Sequence, residues 1–132
     1  MAEIAKSGTP SLSTTTPCPA HHISGLKAGE AIAAGDLCYV KSDGLVWKSS
    51  GAAANAAAKV AGMALQAAAV GEGVSLYFDV NVRYGATLTP GAPLFLSGTV
   101  AGGIADAAST GGTAPIGFAI DATRIRVLQS RY

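Results

Sequence analysis

The side chains able to do chemistry are few. Cys18, His21, His22 and Cys38 are the only thiol or imidazole groups in the chain. A structural zinc site built from such groups shows two close ligand pairs at regular spacing. Here the one close set falls in a stretch rich in Ser, Thr and Pro, while Cys38 sits inside the apolar run Leu37-Cys38-Tyr39-Val40, where a small core residue is expected. His21 and His22 are adjacent, so on an extended backbone they point to opposite sides and do not converge on one substrate. Two cysteines do not make a disulfide framework in a chain of this length, and reduced thiols are expected.

The remaining chemistries lack their spacing. Gly71-Glu72-Gly73 and Gly111-Gly112 have no following Lys-Ser or Lys-Thr, so neither reads as a phosphate cradle. No nucleophile-elbow sequence presents a serine to a histidine. Glu72, Asp79, Asp106 and Asp121 are dispersed and mostly flank turns, unlike a pair of carboxylates held in a cleft. Gly35-Asp36-Leu37-Cys38-Tyr39-Val40-Lys41 is similar to the opening of biotinyl- and lipoyl-carrying barrels, but Lys41 lacks their Met or Asp frame and Lys48 lies beyond the hairpin. No catalytic residue, metal or cofactor is therefore expected, and the protein is expected not to be an enzyme.

Charge narrows the partners. Lys and Arg outnumber Asp and Glu by nine to eight, and a net charge of +1 gives little counterion release on a polyanion. Arg124 and Arg126, two apart, share one face of a strand, and with Arg131 they read as a solvated or subunit-facing edge, not a nucleic-acid site. Only 13% of residues are charged, about half the usual share, which favours association between copies. No apolar run approaches the roughly twenty residues that cross a bilayer, and no secretory h-region follows Met1, so no membrane partner is expected and synthesis in a cytoplasm is.

These groups sit on two kinds of text. Residues 1–22 read as an extended N-terminal arm: Pro10, Pro17 and Pro19 remove backbone donors, and the stretch buries too little to offset its ordering entropy. Its apolar residues Ile4 and Leu12 are available to dock. From Ile23 onward, short apolar runs alternate with glycine turns. Strands are expected over 30–33, 37–41, 45–48, 60–65, 74–80, 87–89, 93–96, 115–120 and 123–128. Asp43-Gly44 between Tyr39-Val40 and Val46-Trp47 predicts a hairpin with a tight primed turn. The helical candidate, 52–59, is Ala-rich but short enough for only a turn or two.

An internal repeat organises the body. Residues 28–40 align without gaps on 84–96, so Gly29 falls on Gly85 and Gly35 on Gly91, 56 residues on. Val60-Ala61-Gly62-Met63-Ala64-Leu65 then matches Pro115-Ile116-Gly117-Phe118-Ala119-Ile120, and each copy closes on an alternating strand. The copies span about 28–80 and 84–128 within a body of 23–132. Two similar β-units packed face to face predict an all-β fold that closes as a small barrel with few free edges. Tyr39, Trp47, Phe78, Phe95 and Phe118 fall in predicted strands and are expected in the core or at subunit contacts.

The segments 28–37, Lys41-Ser42-Asp43-Gly44, 60–65, 88–96 and 115–120 together resemble, in order and spacing, the capsid decoration (cement, head-stabilising) proteins of tailed bacteriophages. The resemblance covers most of 25–128. It implies a β-tulip-like barrel, a homotrimer on the outer surface of a virion made in a bacterial host, and an arm that contacts the major capsid protein. On that reading Ile4, Lys6, Leu12, Pro17, His21 and His22 of the arm grip the shell while the body supplies the trimer. The alternative is a β module of a virion or cell surface that binds a ligand through its loops, for which exposed aromatics in turns would speak.

Overall fold

The computed structural model describes residues 3–12 and 21–131; Pro17 and Cys18 lie outside them. The fold is all-β. Glycine and proline keep the strands short: β1 (Ser11–Leu12), β2 (His22–Lys27), β3 (Leu37–Val40), β4 (Val46–Lys48), β5 (Gly62–Ala64), β6 (Gly73–Tyr77), β7 (Val80–Arg83), β8 (Pro93–Leu96), β9 (Ile104–Ala105), β10 (Gly117–Ala119) and β11 (Arg124–Val127). They form two antiparallel sheets, ordered β2-β6-β5-β3-β4 and β1-β7-β11-β10-β8-β9. Within the expected helical segment, only Ala56–Ala58 makes a 3₁₀ turn, capped by Asn55, whose side chain accepts from Ala57 N.

Apart from β1, the two sheets have the same strand order, and their registers match except at the shift between Ile23 and Leu26 in β2. Cys38 pairs with Gly62 in the first sheet, as Leu94 pairs with Gly117 in the second. Ala64 faces Leu76 as Ala119 faces Ile125, and Ile23 faces Leu76 as Val82 faces Ile125. Turn hydrogen bonds repeat as well: Gly35 N donates to Ala64 O at 2.6 Å and Gly91 N to Ala119 O at 2.8 Å. Each sheet begins one strand before the repeat visible in the sequence, because β2 and β7 share pairing but not residue type.

The repeated glycines in β5 and β10 have one cause. A Cβ on Gly62 would lie 2.8 Å from Tyr77 O, and a Cβ on Gly117 would collide with Arg126 O, the matching carbonyl of the neighbouring strand. Both positions exist to let two backbones approach.

Side-chain alternation separates two cores. Cys38, Val46, Ala64, Val74 and Leu76 face a small core covered by Ala28, Ile32, Ala61 and Ala68. The opposite face of the first sheet sends Leu37 and Met63 into the larger core, where they meet Val82, Leu94, Leu96, Ile104, Ile125 and Val127 of the second sheet. The two units therefore stack back to front: the outside of one closes the inside of the other.

Several expectations change. The run 74–80 is not one strand: Asp79 adopts φ +53, the one positive value at a non-glycine among the described residues, and the chain passes there from the first sheet to the second. Of 30–33 only Ile32 pairs, with Ala68, and 87–89 forms no strand. The Asp43-Gly44 turn is not primed. Gly44 alone has positive φ (+83), Gly44 N donates to Lys41 O, and Asp43 Oδ1 accepts from Leu45 N, the three-residue solution with one left-handed glycine. Among the aromatics Tyr39 is buried, Trp47, Phe78 and Phe95 are half-buried, and Phe118 is 43% exposed. Phe118, expected in the core or at a subunit contact, lies outside both cores, because its position in β10 points away from them.

Candidate functional site

Residues 3–12, expected in the arm, lie along the body as a strap because their backbone finds a seam. In the first unit the chain continuing from β2 returns to the far edge: Ala28 bridges Val46 and Gly29 N donates to Val46 O at 2.8 Å. The residue matching Val46 is Ile104, and there the donor is Ile4 N, at 3.0 Å, with Glu3 bridging Ala105. Ser7 N then donates to Tyr84 O, and β1 pairs with β7 through Ser11–Arg83 and Leu12–Val82. The strap thus touches both edges of the second sheet, β9 and β7.

Its side chains alternate. Ile4 packs on the larger core and Pro10 is buried, while Glu3, Ala5, Ser7, Thr9 and Ser11 face outward. Lys6 Nζ lies 2.9 Å from Oδ1 of Asp36, which is 5% exposed and also accepts Ala33 N at 2.9 Å. That ion pair ties the strap to the first sheet. Beneath it Gly35 has φ +90, and a Cβ there would lie 2.5 Å from Pro10 Cγ. Asp36 reads in the sequence as a turn residue; its burial was not legible, because Lys6 is thirty residues away.

The other residues expected in the arm divide. His22 opens β2 opposite Tyr77, the two rings stacked at 5.6 Å. His21 accepts Phe78 N through its carbonyl. The two are not brought to Lys6 or Ile4 as one site by any contact among the described residues. Leu12 contributes its backbone to β1. Trp47 packs against Gly29, where a Cβ would meet its ring at 2.5 Å, donates from Nε1 to Asp43 Oδ2 at 3.2 Å, and carries Lys41 Nζ 4.4 Å from its ring centre.

A groove of about 490 Å³ runs between the strap and the 85–92 loop, lined by Glu3, Lys6, Ser7, Leu88 and Asp106 among others. Its one lysine is held by Asp36. Cys38 is buried with Sγ against Asp36 O, and burial, reinforced by Asp36, pushes its thiol up to about 12, so it stays protonated and inert. Burial likewise raises the Tyr84 phenol. The Arg124 side chain holds the Asp121 carboxyl down to about 2. No group of three His, Cys, Asp or Glu among the described residues is placed to hold a metal ion, and no helix there is long and apolar enough to cross a membrane.

No protein-family model matches the chain, and no curated protein matches its sequence.

Proposed function

We propose that the chain is a structural virion protein that binds the outer surface of a phage capsid as an oligomer, a homotrimer, and cements neighbouring capsomers without catalysing a reaction. The observation that carries this reading is the duplication. Among the segments whose order and spacing resemble decoration proteins, 60–65 and 115–120 fall on matching strands of the two sheets. The two seams, Ala28–Val46 in one unit and the strap in the other, support a small barrel-like closure. Linking copies makes later contacts with a shell form at high effective concentration, about millimolar for short connections. Binding across capsomer boundaries then raises the free energy needed to part them.

In this reading residues 1–22 meet the major capsid protein. Because Ile4 and Lys6 turn toward the body, the outward row Glu3, Ala5 and Ser7 carries the contact within the strap. The test is sedimentation of the full chain alone, then with expanded and unexpanded shells of the cognate capsid protein. A mass three times 13.0 kDa and retention on expanded shells are expected. Ala5→Arg should release the protein from shells while leaving that mass unchanged. A monomer that ignores both kinds of shell would overturn the proposal. A second reading, a surface-binding β module, is favoured by the exposed Phe118, although that ring lies on a strand and not in a turn.

A further inference from the structure

The outward face of the second sheet has a different chemistry from its twin. In the first sheet the matching positions hold Leu37, Met63 and Tyr77, and the first two are fully buried against the other unit. In the second sheet they hold Pro93, Phe118 and Arg126. Register sets Arg83 directly opposite Arg124 and Asn81 opposite Arg126, with Phe118 on the other side of Arg126. Burial alternates along β7 and β11, so Asn81, Arg83, Arg124 and Arg126 all point away from the core.

Two like charges directly opposite weaken a strand pair unless something anionic lies over them. Within the chain that relief is partial. Asp121 Oδ2 takes Arg124 Nε at 2.8 Å, and Arg126 Nη1 donates to the neutral Asn81 Oδ1 at 3.0 Å. Arg83 is exposed and has no side-chain partner among the described residues. Three guanidiniums, one carboxylate and an exposed phenyl ring thus share a face on a chain whose net charge is only +1.

We propose that this face docks a protein segment carrying carboxylates beside an apolar side chain: the acidic residues pair with Arg83 and Arg126, and the apolar one covers Phe118. Arginine suits bidentate carboxylate recognition, and an aromatic ring beside arginines is the composition of an interface core. Two copies of this chain meeting through the same face would crowd six guanidiniums together, which disfavours that occupant. A nucleic acid is disfavoured because the chain as a whole offers little positive field to a polyanion. The inference goes beyond the shell-binding reading and does not need it.

The probe is a fluorescein-labelled peptide of alternating Glu and Leu, titrated with the full chain at low salt and followed by anisotropy. Binding is expected, with about tenfold weakening in Arg83→Glu and again in Phe118→Ser, and with loss at high salt. Lys27→Glu, on the other sheet, should leave it unchanged. Arg83→Glu alters an exposed side chain, and matching thermal melts separate lost binding from lost fold. No binding, or equal binding by all variants, would overturn the proposal. So would tighter binding of an oligothymidylate, or self-association abolished by Phe118→Ser, which would hand the face to a nucleic acid or to a second copy.

Discussion

Replacing Gly62 or Gly117 by alanine should damage the fold in the same way, because the two glycines hold equivalent places in a duplicated ladder. The new methyl carbon at 62 starts 2.8 Å from Tyr77 O and 3.0 Å from Leu76 Cβ, where ordinary contact begins at 3.4 Å. β6 must therefore retreat by about 0.6 Å from β5, stretching the bonds that set Met63 against Tyr77 and Ala64 against Leu76. Overpacking a close-fitted interior costs about 1–3 kcal/mol, and the stiffer unfolded chain returns about 0.4–1. We expect a net loss of about 1–2 kcal/mol for Gly62→Ala and a larger one for Gly117→Ala, whose Cβ would meet Arg126 O more closely still. For a chain of this size that is roughly a 3–10 °C fall in Tm. Gly73→Ala is the control, since the nearest atom to its Cβ would be Leu26 O at 3.9 Å. The assay is urea and thermal denaturation of all three variants. Two neutral substitutions, or a cost at one site alone, would refute the shared register as the reason for the repeated glycine.

Asp36→Ala should destabilise the protein by about 2–3 kcal/mol, because it leaves the Ala33 amide and the Lys6 ammonium without their acceptor. Lys6→Ala, removing the more exposed partner, should cost about 1 kcal/mol or less by the same denaturation. In a Cys18→Ser background, Cys38 should resist a thiol reagent in the native state at pH 8 and react at once in denaturant; rapid native labelling would contradict its burial and raised value near 12. Asp121 titrates in the fold at about 2, below its ordinary 3.8, so its pairing with Arg124 supports the fold above pH 4 and fades as pH falls toward 2. An NMR titration should show that midpoint, and Arg124→Leu should return it toward the ordinary value.

The parts of this structure legible in the sequence are those written in local text. Leu37-Cys38-Tyr39-Val40 and Pro93-Leu94-Phe95-Leu96 announce themselves as strands by composition, and Gly62 and Gly117 align the copies before any pairing is known. β2 was harder to see because Gly25 (φ +78) interrupts it at a register shift, and β9 because two residues carry no periodicity. β7 begins at Val80, the last residue of the expected strand 74–80, and what divides it from β6 is a backbone conformation at Asp79, invisible to side-chain pattern. The strap reads as loop text since its hydrogen bonds go to Ile104 and Tyr84, far along the chain. The basic face needs the same distant information: Arg83 and Arg124 are neighbours only through the β7–β11 register.

The strap also has a consequence for how the molecule is made. Its residues leave the ribosome well ahead of Ile104, which receives the Ile4 amide and emerges about a hundred residues later. Loop closure over such a separation must precede the reward, so this seam waits until β9 has been made. Until then the opening of the second core has no cover. A nascent chain stalled before β9 should hold the first sheet in place with its partner core still wet and sticky, the stage at which a chaperone is most useful.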